Sequence, residues 1–537
     1  MGVGRLTSAD LRNPLHLLLD FSWAGRTLRL AQQTLHPPVG LGGATVTYYP
    51  GFELSGDVVD PYVVGDQAAG GISVQMKLHV QPGINVPALV AQGHVLGSAQ
   101  GTLWLWAEGT GHRVKLLEGV FQEVTWDTAS TAIVGILEEL PVMDDAAFPD
   151  RRARASIYTW ANHDLAISGL PYPWVFGSPG VAGRTRGATP AILVDTTGSG
   201  RLVINGERVG ASHAEVFQPQ GGGSVVIPVT HTTDLLGREV ATIAPIAPIT
   251  LVGGNRYWVQ WIDGSGADTF GTMENGRPVR GAGDVIEWML KRSHLRWDSG
   301  RLAAVKPLLN QYLIDTYIQA DTYEPVVPWA WVEANLLPIL PVSPRIGPDG
   351  LFLAFWNFAA TKDHAVADLV AGPGGNCEPA SDVAYTPLSR VASTVELGHS
   401  WDVERGDVVG RAVVSGDPIL VQDDADATPG RYARDAWGRY KTTRTISLKS
   451  EVVYDLGTVG RILSWRERYH CQQRLILQYM VQQNPALRLE EGDVVRLTDS
   501  DRSFTTRPCI LTEIGRHHQG WVRCGLQALP IDAGTPG

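Results

Sequence analysis

Apolar and polar residues alternate with a period of two along much of this chain. In "GGISVQMKLHV", Ile72, Val74, Met76 and Leu78 fall on one side and Ser73, Gln75, Lys77 and His79 on the other, which predicts a half-buried strand. "HLLLDFSWAGRTLRLAQQTL" has two apolar runs around a polar Ala-Gly-Arg turn, the pattern of a hairpin. "GTLWLWAEGTGHRVKLLEGVFQEVTW" predicts further strands, broken at Gly109–Gly111 and at Gly119. In "TAIVGILEEL", Ile133, Ile136, Leu137 and Leu140 also fit a helical period, but the β-branched content and the preceding strands favour strand. A second strand-rich block contains "AILVDTTGSGRLVINGERV", "SVVIPVTHTT" and "RYWVQWID". Between the two blocks, "GLPYPWVFGSPGVAGRTRGATP" breaks both periods and reads as a loop or a domain crossing.

Helical periodicity enters after residue 281. "GAGDVIEWMLKRSHL" places Asp284 as an N-cap before an apolar stripe of Val285, Ile286, Met289 and Leu290. "PWAWVEANLLPIL" predicts a helix bent or ended by Pro338. "GPDGLFLAFWNF" is a turn entering a strand. In "DLGTVGRILSWRERYHCQ", Val459, Ile462, Leu463, Arg466 and Tyr469 share one helical face with a single charged member. "RLILQYMV" then alternates as a strand, and "NPALRLEEGDVVRLTD" reads strand, turn, strand. The 537 residues exceed one core and divide into about three or four domains.

Composition narrows the function classes. The net charge of −11 argues against a protein whose business is gripping duplex DNA, because such grip needs a basic footprint. The longest basic run is "DRRARA" at 150–155. The start of the chain lacks the apolar core and cleavage site of a signal peptide, and no stretch approaches the ~20 apolar residues of a membrane span. The expectation is a chain made and folded in a cytoplasm, with no membrane anchor. None of the four cysteines, Cys377, Cys471, Cys509 and Cys524, forms a Cys-x-x-Cys pair. Cys471, Cys509 and Cys524 meeting as metal ligands is the sharper reading of three of them, and ordinary part-buried thiols the favoured one.

Catalytic patterns are weak. The adjacent pairs Glu138/Glu139, Asp144/Asp145 and Asp423/Asp424 point to opposite faces or flank turns, so they read as solvated surface. "GSGRL" and "DGSGAD" lack the strand-to-helix setting of a strained nucleophile, and "AGPGGN" at 371–376 is a turn. His517 and His518 are neighbours on a strand pattern and read as surface histidines. No catalytic, cofactor or metal site is predicted. "LWLWAE" puts Trp104 and Trp106 on one face, which suits either a sugar platform or packing; packing is favoured.

One tetrapeptide, Gly-Asp-Val-Val, recurs at 56–59, 406–409 and 492–495. Gly takes the left-handed turn conformation, Asp bonds nearby backbone, and the two valines launch a strand. Gly406, Asp407, Gly492 and Asp493 are therefore predicted structural turns, with Gly56–Val59 a third. In "EEGDVVRLTD" the strand alternates Val494/Arg496/Thr498 against Val495/Leu497, as a barrel wall does.

The order of elements around "NPALRLEEGDVVRLTDSDRSFTTRPCILTEI" resembles the tail-tip or baseplate hub proteins of long-tailed bacteriophages. "GTLWLWAEGTGHRVKLLEGVFQEVTW" leading to "EELPVMDDAAFP" resembles the first of that family's two tube-like barrels, and "YPWVFGSPG" and "DVIEWMLKRSHLRWDSGRL" its connecting pieces. The resemblance implies an α+β, mainly β chain with two tail-tube-like β-barrel domains, a strand-rich insert and a helix-containing connecting domain. The corresponding limits are 1–165, 166–280, 281–378 and 379–537. It implies a structural virion protein, assembled in the host cytoplasm, that adapts a sixfold tail tube to a threefold tip as a homotrimer. The implied partners are a distal tail protein, a tape-measure protein and a central fibre or spike protein, with DNA only as transient cargo in the lumen. The rival reading is a carbohydrate-binding or carbohydrate-active β-protein using Trp104, Trp106, Trp258 and Trp261.

Overall fold

The computed structural model describes residues 14–529 except 40–43, 55–72, 80–85, 110–112, 128–131, 139–145, 147, 149–152, 164, 166–167, 180–187, 198–199, 218–223, 245–256, 263–270, 319–325, 348, 388–389, 403–404, 416–443, 472–473, 483–488 and 516–520. The fold is mainly β and multi-domain, with three barrel-like sheets around a helix-containing centre.

The N-terminal barrel begins with the predicted hairpin, Leu15–Trp23 and Arg26–Ala31, around Ala24 and Gly25, both at positive φ. Two central residues of that kind match the twist of the flanking strands. The strands run on in the order Arg26–Ala31, Leu15–Trp23, Gln100–Ala107, Arg113–Asp127, Ala132–Glu138 and Ser73–His79. The segment 49–54 then closes the ring. Its first half, Tyr49–Pro50, pairs parallel with Arg26–Ala31, and its second half, Phe52–Leu54, pairs antiparallel with Ser73–His79. Gly51 sits at the changeover, where a Cβ would lie 2.7 Å from Leu30 Cδ2. Val74, Met76 and Leu78 point inward as their alternation predicts, and pack with Leu103, Leu105, Phe121 and Leu137. Ala132–Glu138 is a strand, as its β-branched content indicates. Gly119, expected to break a strand, lies inside Arg113–Asp127 opposite Gly101. There Gly101 makes room: a Cβ on it would meet Leu137 and Phe121 at under 3 Å.

The C-terminal barrel uses the same plan. Leu475–Gln482 pairs with Trp521–Ala528, which pairs with Phe504–Gly515, which pairs with Val494–Asp499, all antiparallel. In chain order the first strand pairs the fourth, the fourth the third, and the third the second. Ser73–His79, Gln100–Ala107, Arg113–Asp127 and Ala132–Glu138 do the same. Closure again combines a parallel and an antiparallel piece, without the added hairpin of the N-terminal barrel: Ala367–Val370 pairs parallel with Val494–Asp499, and Cys377–Pro379 pairs antiparallel with Leu475–Gln482. "AGPGGN" is the short turn between these two pieces. Even the bulges correspond. The third–fourth strand pair slips at Gly135 in one barrel and between Leu511 and Glu513, beside Gly525, in the other.

Between them lies a smaller barrel, from Thr189–Asp195 to Tyr257–Ile262. Its edge strands, Ser224–Pro228 and Thr230–Thr233, are one stretch interrupted only by Val229, so this sheet closes on itself too. Three helical stretches, Ala282–Leu290, Ser299–Leu309 and Pro328–Asn335, join the hairpin Val342–Gly347/Gly350–Phe355 in the central framework. The helix Leu456–His470 packs there against a three-stranded sheet of Thr394–Asp402, Asp407–Ser415 and Thr445–Lys449. Val459, Ile462, Leu463, Arg466 and Tyr469 are all buried, the face read from their spacing. Asp284 is not the N-cap of its helix: Gly281 is, and Asp284 lies in the first turn. The cap comes from a distance, since Asn310 Oδ1 accepts from the Asp284 backbone N–H at 3.0 Å. Gly281 and Gly283 leave that carbonyl the space it occupies. The Pro-rich stretch expected to be a loop instead contributes the strand Trp174–Phe176, paired with Thr316–Ile318 and buried throughout. Trp174, Trp288, Phe148 and Phe176 interlock there with ring centroids 5.0–5.4 Å apart.

Candidate functional site

The Gly-Asp turn at 490–493 has the richest geometry of the predicted sites. Gly492 has φ +87°, and a Cβ on it would lie 2.8 Å from the Phe355 carbonyl oxygen. The Asp493 carboxylate accepts from the Glu490 backbone N–H at 2.7 Å, and the Asp493 N–H donates to the Glu490 carbonyl at 3.0 Å, so both hydrogen bonds reach back three residues. Val494 then enters the wall, with Val495 and Leu497 buried in the barrel interior. The two glutamates before the glycine face away from the barrel. Arg301 Nη2 donates to Glu490 Oε1 at 2.9 Å, and Arg345 Nη2 lies 2.6 Å from Glu491 Oε2. The second pair is almost fully enclosed, with side chains 2% and 8% exposed. The turn thus fastens the C-terminal barrel to the Val342–Gly347 strand and the Ser299–Leu309 helix. The alternation pattern carries no sign of this, because the partners stand 145 or more residues upstream.

Gly492→Ala is expected to cost about 1–2 kcal/mol, since the left-handed conformation and the nearby carbonyl both oppose a Cβ. Urea unfolding measures it, and an unchanged midpoint would show that the turn can shift freely.

Gly406 has φ +62°, and Asp407 accepts from the Val408 N–H at 2.8 Å and from Lys449 Nζ at 3.0 Å. This copy lies in the three-stranded sheet, not in the C-terminal barrel expected to hold both late copies. The earliest copy, Gly56–Val59, is outside the described residues. So are Glu139, Asp144, Asp145, Asp423, Asp424, His517, His518 and the serines of "GSGRL" and "DGSGAD".

Cys377, Cys509 and Cys524 all pack inside the C-terminal barrel, whereas Cys471 caps a helix in the central core. The trio Cys471, Cys509 and Cys524 therefore does not meet. Burial pushes the Cys377 and Cys509 thiols up to about 12, for Cys377 with help from the nearby Asp499 and Glu378 carboxylates. Among the described residues, no group of three or more His, Cys, Asp or Glu side chains is placed to hold a metal ion.

Trp104 and Trp106 do share a face, the outer one, and a chain excursion covers it. Trp106 is buried with Leu18, Leu35 and Tyr48. Trp104 Nε1 donates to Asp20 Oδ2 at 3.0 Å, and the Arg113 guanidinium lies 4.6 Å from its ring centre. A ring with a cation already on its face is packing rather than an open sugar platform. Trp258 is half-buried in a T-shaped contact with Tyr317, their ring centres 6.3 Å apart, and the Trp261 side chain lies outside the described ones.

No family model and no curated protein matches the chain. Solved structures do. The chain is similar over 96% of its length to 96% of a tail protein from Neisseria meningitidis MC58, with TM-score 0.36 and 8% identity. It is similar over 96% of its length to 98% of a 43 kDa tail protein of prophage MuSo2 from Shewanella oneidensis, with TM-score 0.36 and 9% identity. The third likeness, a prophage tail protein from Listeria monocytogenes EGD-e, covers 95% of this chain and 94% of that one at TM-score 0.36 and 7% identity. Two of these three similar structures are of prophage tail proteins, and the other is of a tail protein.

Proposed function

We propose that this chain is a non-enzymatic structural component of a phage tail, and within it the hub of the tail tip. The observation that carries the reading is the repeated barrel. One chain contains two closed sheets with the same four-strand order, the same parallel-plus-antiparallel closure and a bulge between the same two strands. Three copies then present six barrels of one plan, which lets a threefold tip seat against a sixfold tube. In this reading the 1–165 and 379–537 domains form the ring, and the 166–280 and 281–378 domains join them. Its neighbours are the distal tail protein, the tape-measure protein and a central fibre or spike, and DNA passes through the lumen as cargo. The acidic balance of the chain suits a channel through which a polyanion must slide without sticking.

Native mass spectrometry of the purified chain is expected to give a species of three times 58.1 kDa. Electron microscopy of that species should show a ring of six similar densities. A chain that stays monomeric at high concentration, or a ring without sixfold repetition, overturns the hub reading.

A further inference from the structure

The C-terminal end of the Leu456–His470 helix gathers positive charge that the tail reading leaves unused. Arg466 Nη1 donates to His470 Nε2 at 3.3 Å, and since guanidinium only donates, the His470 proton is on Nδ1. The Arg474 guanidinium stacks on Tyr469, 3.9 Å from the ring centre, and Tyr469 in turn meets the His470 ring at 4.8 Å. Thr386, Ala392 and Ser393 tie the backbones of Arg474, His470 and Arg444 to one neighbouring segment. The Thr386 N–H donates to Arg474, Ala392 to His470 and Ser393 to Arg444, each at a backbone carbonyl and at 2.8–2.9 Å. Three arginines, Arg466, Arg474 and Arg444, act on His470 through space.

We propose that this arginine cluster is a binding site for a phosphate-class oxoanion. Three features carry it. Arg466 is 7% exposed, yet among the described residues its Nε–H has no acceptor, and the buried Nε–H of Arg474 has none either. Neither arginine meets a carboxylate among the described residues. Arg466 already gives Nη1 to His470 and Nη2 to the Pro338 carbonyl, and Arg474 gives Nη1 to Gln527 Oε1 at 3.4 Å, so the unmet donors are the two Nε–H groups. Buried donors left that way are costly, and an anion removes the cost. Access is open on one side, because Arg444 is exposed and Arg474 and His470 are only half-buried. The helix end contributes roughly half a negative charge, which the Arg466 and Arg474 charges alone outweigh. A dianion with several acceptor oxygens suits such a set of forked donors better than a single carboxylate. The site needs one chain only, so it stands whether or not the hub reading does.

Inorganic phosphate, titrated against the full chain with chloride at matched ionic strength as control, is expected to raise the thermal midpoint saturably. Calorimetric titration should give one site per chain. Arg444→Gln and Arg474→Gln should each weaken binding by about tenfold, the loss of one charge-assisted hydrogen-bonding group. Arg444 is exposed, so its variant keeps the fold, as circular dichroism will verify. A short single-stranded oligonucleotide, titrated in parallel and in competition, tells whether the phosphate comes from nucleic acid or as the free ion. Either source supports the site if both variants lose it. No saturable response in the native chain, or one that survives both substitutions unchanged, overturns it.

Discussion

Arg345→Met is expected to destabilise the chain by about 3–5 kcal/mol, because it removes the guanidinium beside the enclosed Glu491 carboxylate. Arg345 Nη2 and Glu491 Oε2 are 2.6 Å apart and both side chains are nearly inaccessible to water. In isolation the pair adds little, since desolvating two ions costs about what their attraction returns. The asymmetry lies in breaking it. The double variant Arg345→Met/Glu491→Gln should therefore recover most of the lost stability. Urea unfolding followed by tryptophan fluorescence reads both, with Arg301→Met, whose partner Glu490 is more exposed, expected to lose well under half as much. Equal losses for the single and double variants would mean that the charge pairing is irrelevant and only shape matters.

Acidification should unfasten a different place. Burial, and then the Arg466, Arg474 and Arg444 charges, lower His470 to about 3 from its ordinary 6.5. The folded chain therefore prefers neutral His470, while the unfolded chain takes up a proton near pH 6.5. The contribution is fully present above that pH and is lost progressively as pH falls toward 3. At ~1.4 kcal/mol per pH unit, the loss reaches about 2–3 kcal/mol near pH ~4.5. Carboxylates titrate in the same range, so the measurement is the difference between the native chain and His470→Gln in phosphate-free buffer. The native chain should lose stability more steeply below pH ~6.5. Parallel curves would show that His470 accepts its proton in the folded state without penalty.

Strand periodicity makes much of this architecture legible in the sequence. Val74, Met76 and Leu78, or Leu477, Tyr479 and Val481, each announce an inward face by alternation alone. The helical face from Val459 to Tyr469 is equally direct, including Arg466 as a buried member. Failures came where a distant residue supplied what a neighbour was expected to supply. Asn310 caps a helix that Asp284 was expected to cap, and Gly119 stays in a strand because it pairs in register with Gly101 of the neighbouring strand. "YPWVF" read as a crossing because its prolines break periodicity, yet its apolar residues fill the central core. The Gly-Asp turn was visible as a turn, but its role as a fastening depends on Arg301 and Arg345. No local pattern can reveal a partner that far away.

The closing segments carry a mechanical consequence. Residues 49–54 hold the rim of the N-terminal barrel from both flanks, so widening that ring means tearing two ladders of backbone hydrogen bonds at once. The C-terminal barrel is girdled in the same manner. Side-chain fastenings such as the Glu490 and Glu491 turn can slip or re-form one at a time. Tension along the molecule should therefore part the barrels from the framework while each hoop stays round, a failure order that optical-tweezer unfolding steps would display.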